Sequence, residues 1–153
     1  AYWAVEYQYV PTVLPQRFTL FAGTVRENLA LGDPGADDRR LIEALDGVAL
    51  GDWHRDLPDG LDTWLGEAGS KLSGGQARRV ALARCLLADR PIAILDEPTD
   101  GLDAATEARI VATLQAWRGG RTVIVISHRR ALRATGDRVL ALRDGILREA
   151  PRE

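Results

Sequence analysis

Lys71-Leu72-Ser73-Gly74-Gly75-Gln76, running straight into Ala77-Arg78-Arg79-Val80-Ala81-Leu82-Ala83-Arg84, is the stretch whose reading decides the fold. Two glycines after a serine open a helix whose first amides have no partners inside the helix. The helix dipole favours negative charge at that end. The glycines let an anion such as a phosphate approach the main chain, and Ser73 and Gln76 add hydrogen-bonding side chains. Val80, Ala83, Leu86 and Leu87 recur at helical spacing and predict a buried face. Alone, a Ser-Gly-Gly helix start describes an ordinary capped helix equally well, so its weight depends on its neighbours.

The first neighbour is Ile92-Ala93-Ile94-Leu95-Asp96-Glu97, a short apolar run ending in two carboxylates. It reads as a buried parallel strand delivering acid groups to the carboxyl edge of a sheet, where open α/β folds bind ligands. Thr122-Val123-Ile124-Val125-Ile126 reads as a second buried β-branched strand, and it ends at Ser127-His128. His128 would then lie on the same rim as Asp96 and Glu97. Val13-Leu14-Pro15-Gln16 looks like the end of a third strand. Between these strands Asp103 is placed to cap a helix carrying Ile110, Leu114 and Trp117 inward, with Gly119-Gly120 stopping it.

Bulk properties narrow the class. The chain has 153 residues, 46% of them apolar and 27% charged, with a net charge of −2. That suits one globular domain with a real core. Twenty basic and twenty-two acidic residues are interspersed, so no nucleic-acid footprint appears. The pairs Arg39-Arg40, Arg78-Arg79 and Arg129-Arg130 read as solvated faces. Cys85, the one cysteine, has no intrachain disulfide partner, which fits a reducing compartment and a buried, inert thiol. No apolar stretch is long enough to span a bilayer and no signal peptide is recognisable. Methionine is absent, so the chain reads as an excised piece of something longer.

The remaining segments read as connectors and small helices. Residues 1–10 alternate in part as a strand would, with Val5, Tyr7 and Tyr9 on one side. They are either a remnant of an upstream β-region or foreign to the domain. Thr24 and Glu27 form a capping box for a helix beginning at Val25. Phe18, Leu20 and Phe21 offer an apolar patch. Asp37 to Asp46 predicts a helix with Ile42 and Leu45 inward and Gly47 just past its end. Gly51-Asp52-Trp53 begins another helical piece, closed by Pro58-Asp59-Gly60. Trp53 and Trp64 are expected to be packing residues. Arg138 to Leu142 and Ile146 to Glu149 flank Asp144-Gly145, a strong hairpin signal.

Five of these features, in this order, resemble the nucleotide-binding domain of ATP-binding cassette (ABC) proteins: Gln16, the Ser73-to-Gln76 helix start, Asp96-Glu97, Asp103 and His128. The resemblance covers most of residues 12–149. It implies an α/β fold of the P-loop NTPase type, here partial: a portion of the parallel-sheet core, a helical subdomain and a C-terminal β-hairpin. The division it implies is an unrecognised segment at 1–11, a Q-loop region at 12–31, a helical subdomain with the Ser-Gly-Gly-Gln helix at 32–88, and the C-terminal part of the ATPase core at 89–153.

Implied, too, is the chemistry: hydrolysis of ATP with Mg²⁺, in which Asp96 and Gln16 serve the metal, Glu97 is the general base and His128 contacts the γ-phosphate. Ser73, Gly74, Gly75 and Gln76, with Asp103, would face ATP held by a second nucleotide-binding domain packed head-to-tail. Phe21-Ala22-Gly23-Thr24-Val25-Arg26-Glu27-Asn28 and Leu65-Gly66-Glu67-Ala68-Gly69 resemble the exporter type. The first of these would touch coupling helices of a transmembrane domain, and Gly66-Glu67-x-Gly69 resembles the exporter X-loop. Among exporters, the motifs are most like a subunit of a bacterial heterodimer that exports thiol reductants for cytochrome bd assembly, working at the cytoplasmic face of the cytoplasmic membrane.

One part of the family pattern is missing. A P-loop requires Gly-x-x-x-x-Gly-Lys-Ser/Thr. The single lysine, Lys71, follows Ser70 and belongs to the run before Ser73. Truncation explains this better than a degenerate pseudo-ATPase, because Gln16, Glu97 and His128 are all kept. The fragment alone is therefore expected to be inactive. The competing readings are a non-catalytic module that docks an ATPase partner, and a non-transport ABC ATPase.

Overall fold

The computed structural model describes residues 10–152. The strand expected around Val5 to Tyr9 lies outside them. Three parallel strands form the central sheet: β1 (Thr12–Leu14), β2 (Ile92–Asp96) and β3 (Thr122–Ile126), in the order β1-β2-β3. The register pairs Leu14 with Leu95, and Asp96 with Ile126. The three strands therefore end within one residue of the same level.

Between β1 and β2 lie α1 (Val25–Ala30), α2 (Asp38–Gly47), α3 (Gly51–Arg55), two single 3₁₀ turns and α4 (Gly74–Leu87). Local chemistry explains the boundaries. Thr24 and Glu27 form the capping box of α1, with both reciprocal hydrogen bonds made. Asp37 caps α2 through the amide of Arg40. Helix α2 takes in Gly47, and it buries Leu41 with Leu45 while the expected Ile42 is only half-buried. Helices α5 (Ala104–Trp117) and α6 (Arg130–Thr135) follow β2 and β3. The chain ends in the antiparallel hairpin β4 (Leu140–Arg143) and β5 (Ile146–Glu149). Its two turn residues, Asp144 and Gly145, both have positive φ, as a tight two-residue hairpin turn demands.

Helix α4 is the hub of the core. Val80, Ala81, Leu82, Ala83, Cys85 and Leu87 are all buried, so it is enclosed on most sides and has no single apolar stripe. It packs against α1, α2 and β1, and one continuous hydrophobic cluster joins it to Leu14, Leu95, Ile110 and Leu114. Burial pushes the Cys85 thiol up from its ordinary value, against a hydrogen bond to Thr12 and the charge of Arg84, which suits the inert role expected of it.

Two expectations about burial are corrected. Strand β3 is exposed along most of its length, Ile126 at 52%, because among the described elements only β2 packs substantially against it, leaving its faces uncovered. Trp64 is 48% exposed; its backbone, not its ring, does the structural work by bridging to Thr24. The apolar patch at 18–21 is split: Leu20 is buried under Gly69, Phe18 is half-buried and Phe21 is 56% exposed. Gly69 has φ +73, and a β-carbon there would come within 2.8 Å of Leu20 Cδ1, so only glycine allows this approach.

Candidate active site

The aligned carboxyl ends of the three strands form one rim. Gln16 lies two residues past β1, Asp96 closes β2 with Glu97 next, and Ser127-His128 follow β3. The amide of Glu97 donates to the carbonyl of Ile126 at 2.8 Å, locking the two strand ends together. The Glu97 carboxylate is then gripped from both sides. Ser127 Oγ donates to its Oε2 at 3.0 Å, and His128 Nδ1 lies 2.8 Å from its Oε1. Burial works to raise the Glu97 carboxyl, but the hydrogen bonds from His128 and Ser127 outweigh it and hold the group below its ordinary value. An ionised carboxylate only accepts, so Nδ1 of His128 carries the proton. Nε2 is then left free on a side chain that is 71% exposed, while that of Glu97 is 18% exposed.

Glu97 also has a left-handed backbone, φ +48, immediately before Pro98. A non-glycine residue in that region is strained, and such strain clusters at functional sites. The site thus presents one fixed, ionised carboxylate flanked by a hydroxyl and an imidazole, which is the equipment of a base that accepts a proton from a water.

The helix start at Ser73 is a separate feature. Ser73 caps α4 by accepting from the amide of Gln76 at 3.2 Å, and Gln76 Oε1 accepts from the amide of Ser73 at 3.0 Å. The Ser73 hydroxyl hydrogen and the Gln76 side-chain NH₂ remain available to donate outward. A β-carbon on Gly74 would meet nothing within 4 Å, so the face above it is open. Asp103 caps α5 through the amides of Ala105 and Thr106 and is itself exposed. The strand ends bring Gln16, Asp96-Glu97 and Ser127-His128 to one rim, whereas Ser73 and Asp103 sit at helix starts and are exposed.

Among the described residues no three His, Cys, Asp or Glu side chains assemble to hold a metal. Magnesium does not require that, since it keeps several waters and takes one or two protein oxygens along with phosphate oxygens. Asp96 and Gln16 at the rim are hard oxygen donors of the right kind, so the residues present fit that ion.

Two contributors to the site carry no motif signal. Ser127 precedes the histidine and holds Glu97. Arg78, read from sequence as a solvated residue, reaches across the rim: Nη1 donates to the carbonyls of Asp96 (3.2 Å) and Glu97 (3.1 Å), and Nη2 to that of Gln16 (3.0 Å). Arg79 likewise departs from the solvated reading. It bonds the carbonyls of Gly75 and Ala49, and burial lowers its pKa.

This fold is that of a partial P-loop NTPase-type ABC domain, and the chain belongs to the ABC transporter family, whose profile matches residues 6–100. It is similar to the glutathione/L-cysteine transport system ATP-binding/permease protein CydC of Escherichia coli, 48% identical over 118 residues, which are 77% of this chain and 20% of that protein. It is also similar to the mycobactin import ATP-binding/permease protein IrtB of Mycobacterium tuberculosis, 43% identical over 90% of this chain and 24% of the relative. A solved bacterial Atm1-family ABC exporter with ATP bound superimposes with a TM-score of 0.81 at 42% identity, covering 89% of this chain and 24% of that one. The chain thus spans about a fifth to a quarter of the length of these relatives.

Proposed function

We propose that this chain is the later part of an exporter-type nucleotide-binding domain that hydrolyses ATP to drive transport across a bacterial cytoplasmic membrane, working at its cytoplasmic face. The observation that carries the reading is the strained, ionised Glu97 held between Ser127 and His128. In this reading Glu97 accepts the proton of the attacking water. Asp96 and Gln16 would hold Mg²⁺, which would supply charge neutralisation for the phosphates. His128 serves the γ-phosphate through Nε2; with Nδ1 already protonated, that contact needs either the imidazolium or release of Glu97. Residues 73–76 and Asp103 face a second domain, where the open helix start donates to the phosphates of the ATP that domain holds.

The phosphate cradle of the home site would come from a P-loop strand added at the outer edge of β3, which pairs with no further strand among the described residues. That edge adjoins His128, and an unpaired row of backbone donors and acceptors is a template for a further strand. The segments 17–25 and 63–72 support a docking role toward a transmembrane domain. They are zipped together by the amides of Val25 and Leu65 on the carbonyls of Thr63 and Gly23, and they present Phe21 and Trp64 outward.

The test is Glu97→Gln in the complete ATPase. Turnover should fall by on the order of 10³-fold or more, as expected for loss of a base acting in the transition state, while ATP-bound dimers persist. Turnover close to that of the parent would overturn the assignment. The purified 153-residue chain should hydrolyse ATP negligibly. A second reading, a non-catalytic docking module, is favoured for the isolated chain by its lack of any Gly-Lys-Ser/Thr sequence. Nucleotide titration with and without a P-loop-bearing partner separates the two.

A further inference from the structure

We propose that Arg78 is a positioning residue that holds the catalytic carboxylate and the metal-sensing glutamine in register with the first turns of α4. The inference rests on the catalytic reading of Glu97 given above. One guanidinium nitrogen bonds the two carbonyls that flank the Glu97 α-carbon, those of Asp96 and Glu97. In an extended strand successive carbonyls point in opposite directions and one donor could not reach both. The left-handed turn at Glu97, φ +48, swings them to the same side. The strained backbone and the arginine therefore specify one another.

The second nitrogen bonds the carbonyl of Gln16, and the guanidinium lies 5.3 Å from the ring centroid of Phe18, which fixes its plane. One rigid fork thus ties together the segment after β1, the end of β2 and the helix opened by Ser73. These acceptors lie 62, 18 and 19 positions away along the chain. Arg78 touches no reacting atom. It acts through the backbone of Glu97, whose side chain must meet its water at the right place, and a misplacement of about 1 Å costs on the order of 10²-fold in rate.

The fork geometry, not the charge, is what the site uses, so lysine is not an equivalent. The experiment measures kcat, KM and melting temperature for Arg78→Lys and Arg78→Ala in the complete, partner-assembled ATPase, with Glu97→Gln alongside. Arg78→Lys should lower kcat by on the order of tenfold to a hundredfold with KM and melting temperature close to those of the parent. Millimolar guanidinium ion should restore part of the turnover of Arg78→Ala and none of that of Glu97→Gln. If Glu97→Gln is inactive but Arg78→Lys keeps the parent kcat, the positioning role falls and the catalytic reading stands. If the arginine variants lose turnover only in step with melting temperature, and guanidinium restores nothing, Arg78 is purely structural and the inference falls. A Glu97→Gln variant that still turns over removes the catalytic reading and this inference with it.

Discussion

Asp103 shows what making a helix cap does to the residue that makes it. Hydrogen bonds from the Thr106 amide and hydroxyl, and from the Ala105 amide, hold its carboxyl below the ordinary carboxylate value. A depressed folded pKa gives stability that is complete above the unfolded value, about 3.9, and is lost as pH falls through the folded value. Asparagine caps a helix about as well but does not titrate. Thermal melts of the parent and Asp103→Asn should therefore differ by a constant amount down to about pH 5, and the difference should close in stronger acid. Parallel curves throughout would contradict the assignment. The residues legible in the sequence share a trait with Asp103: Glu97, His128, Gln16 and Ser73 each sit at the end of a strand or the start of a helix, where an ordered series of motifs marks them. Arg78 has no such mark. Its acceptors are main-chain carbonyls, which leave no trace in side-chain identity, so an arginine early in a helix reads as solvated.

At the scale of elements, α4 couples the candidate site to the core. Its start presents Ser73 and Gly74, its second turn carries Arg78, and its later turns are enclosed, with Leu82 fully buried. Arg84 extends the same pattern: it bonds the carbonyls of Asn28 and Thr19 and the side chain of the buried Asn28, and it lies 5.6 Å from the Phe21 ring centroid. The helix thereby holds the segment between Gln16 and Asn28 at both ends. Leu82→Ala should cost about 2–5 kcal/mol, read from chemical denaturation; a loss well under 1 kcal/mol would show that the site collapses or was never packed. At the other end of the chain, Gly145→Val places a branched side chain at φ +77 and should weaken the hairpin by about 1–2 kcal/mol, visible as faster amide exchange in β4 and β5. Helix and hairpin boundaries were legible because capping and turn residues act locally. Burial was not: the β-branched run in β3 and the ring of Trp64 look like core residues, yet their exposure depends on which neighbours the sheet has, and composition does not carry that.

At the scale of the molecule, the rim and the helix start are built from different elements, and in the proposed reading they belong to two different ATP sites. The rim would serve nucleotide held by this subunit's own P-loop region; residues 73–76 would serve nucleotide held by the partner. The most direct measurement uses ATP carrying a photoreactive group on the γ-phosphate, applied to the complete dimer after the P-loop lysine of this subunit alone has been replaced. Peptides of this subunit are then mapped. The predicted result is loss of labelling at Ser127-His128 with labelling retained at Ser73–Gln76. Labels that vanish together, or persist together, would contradict the account.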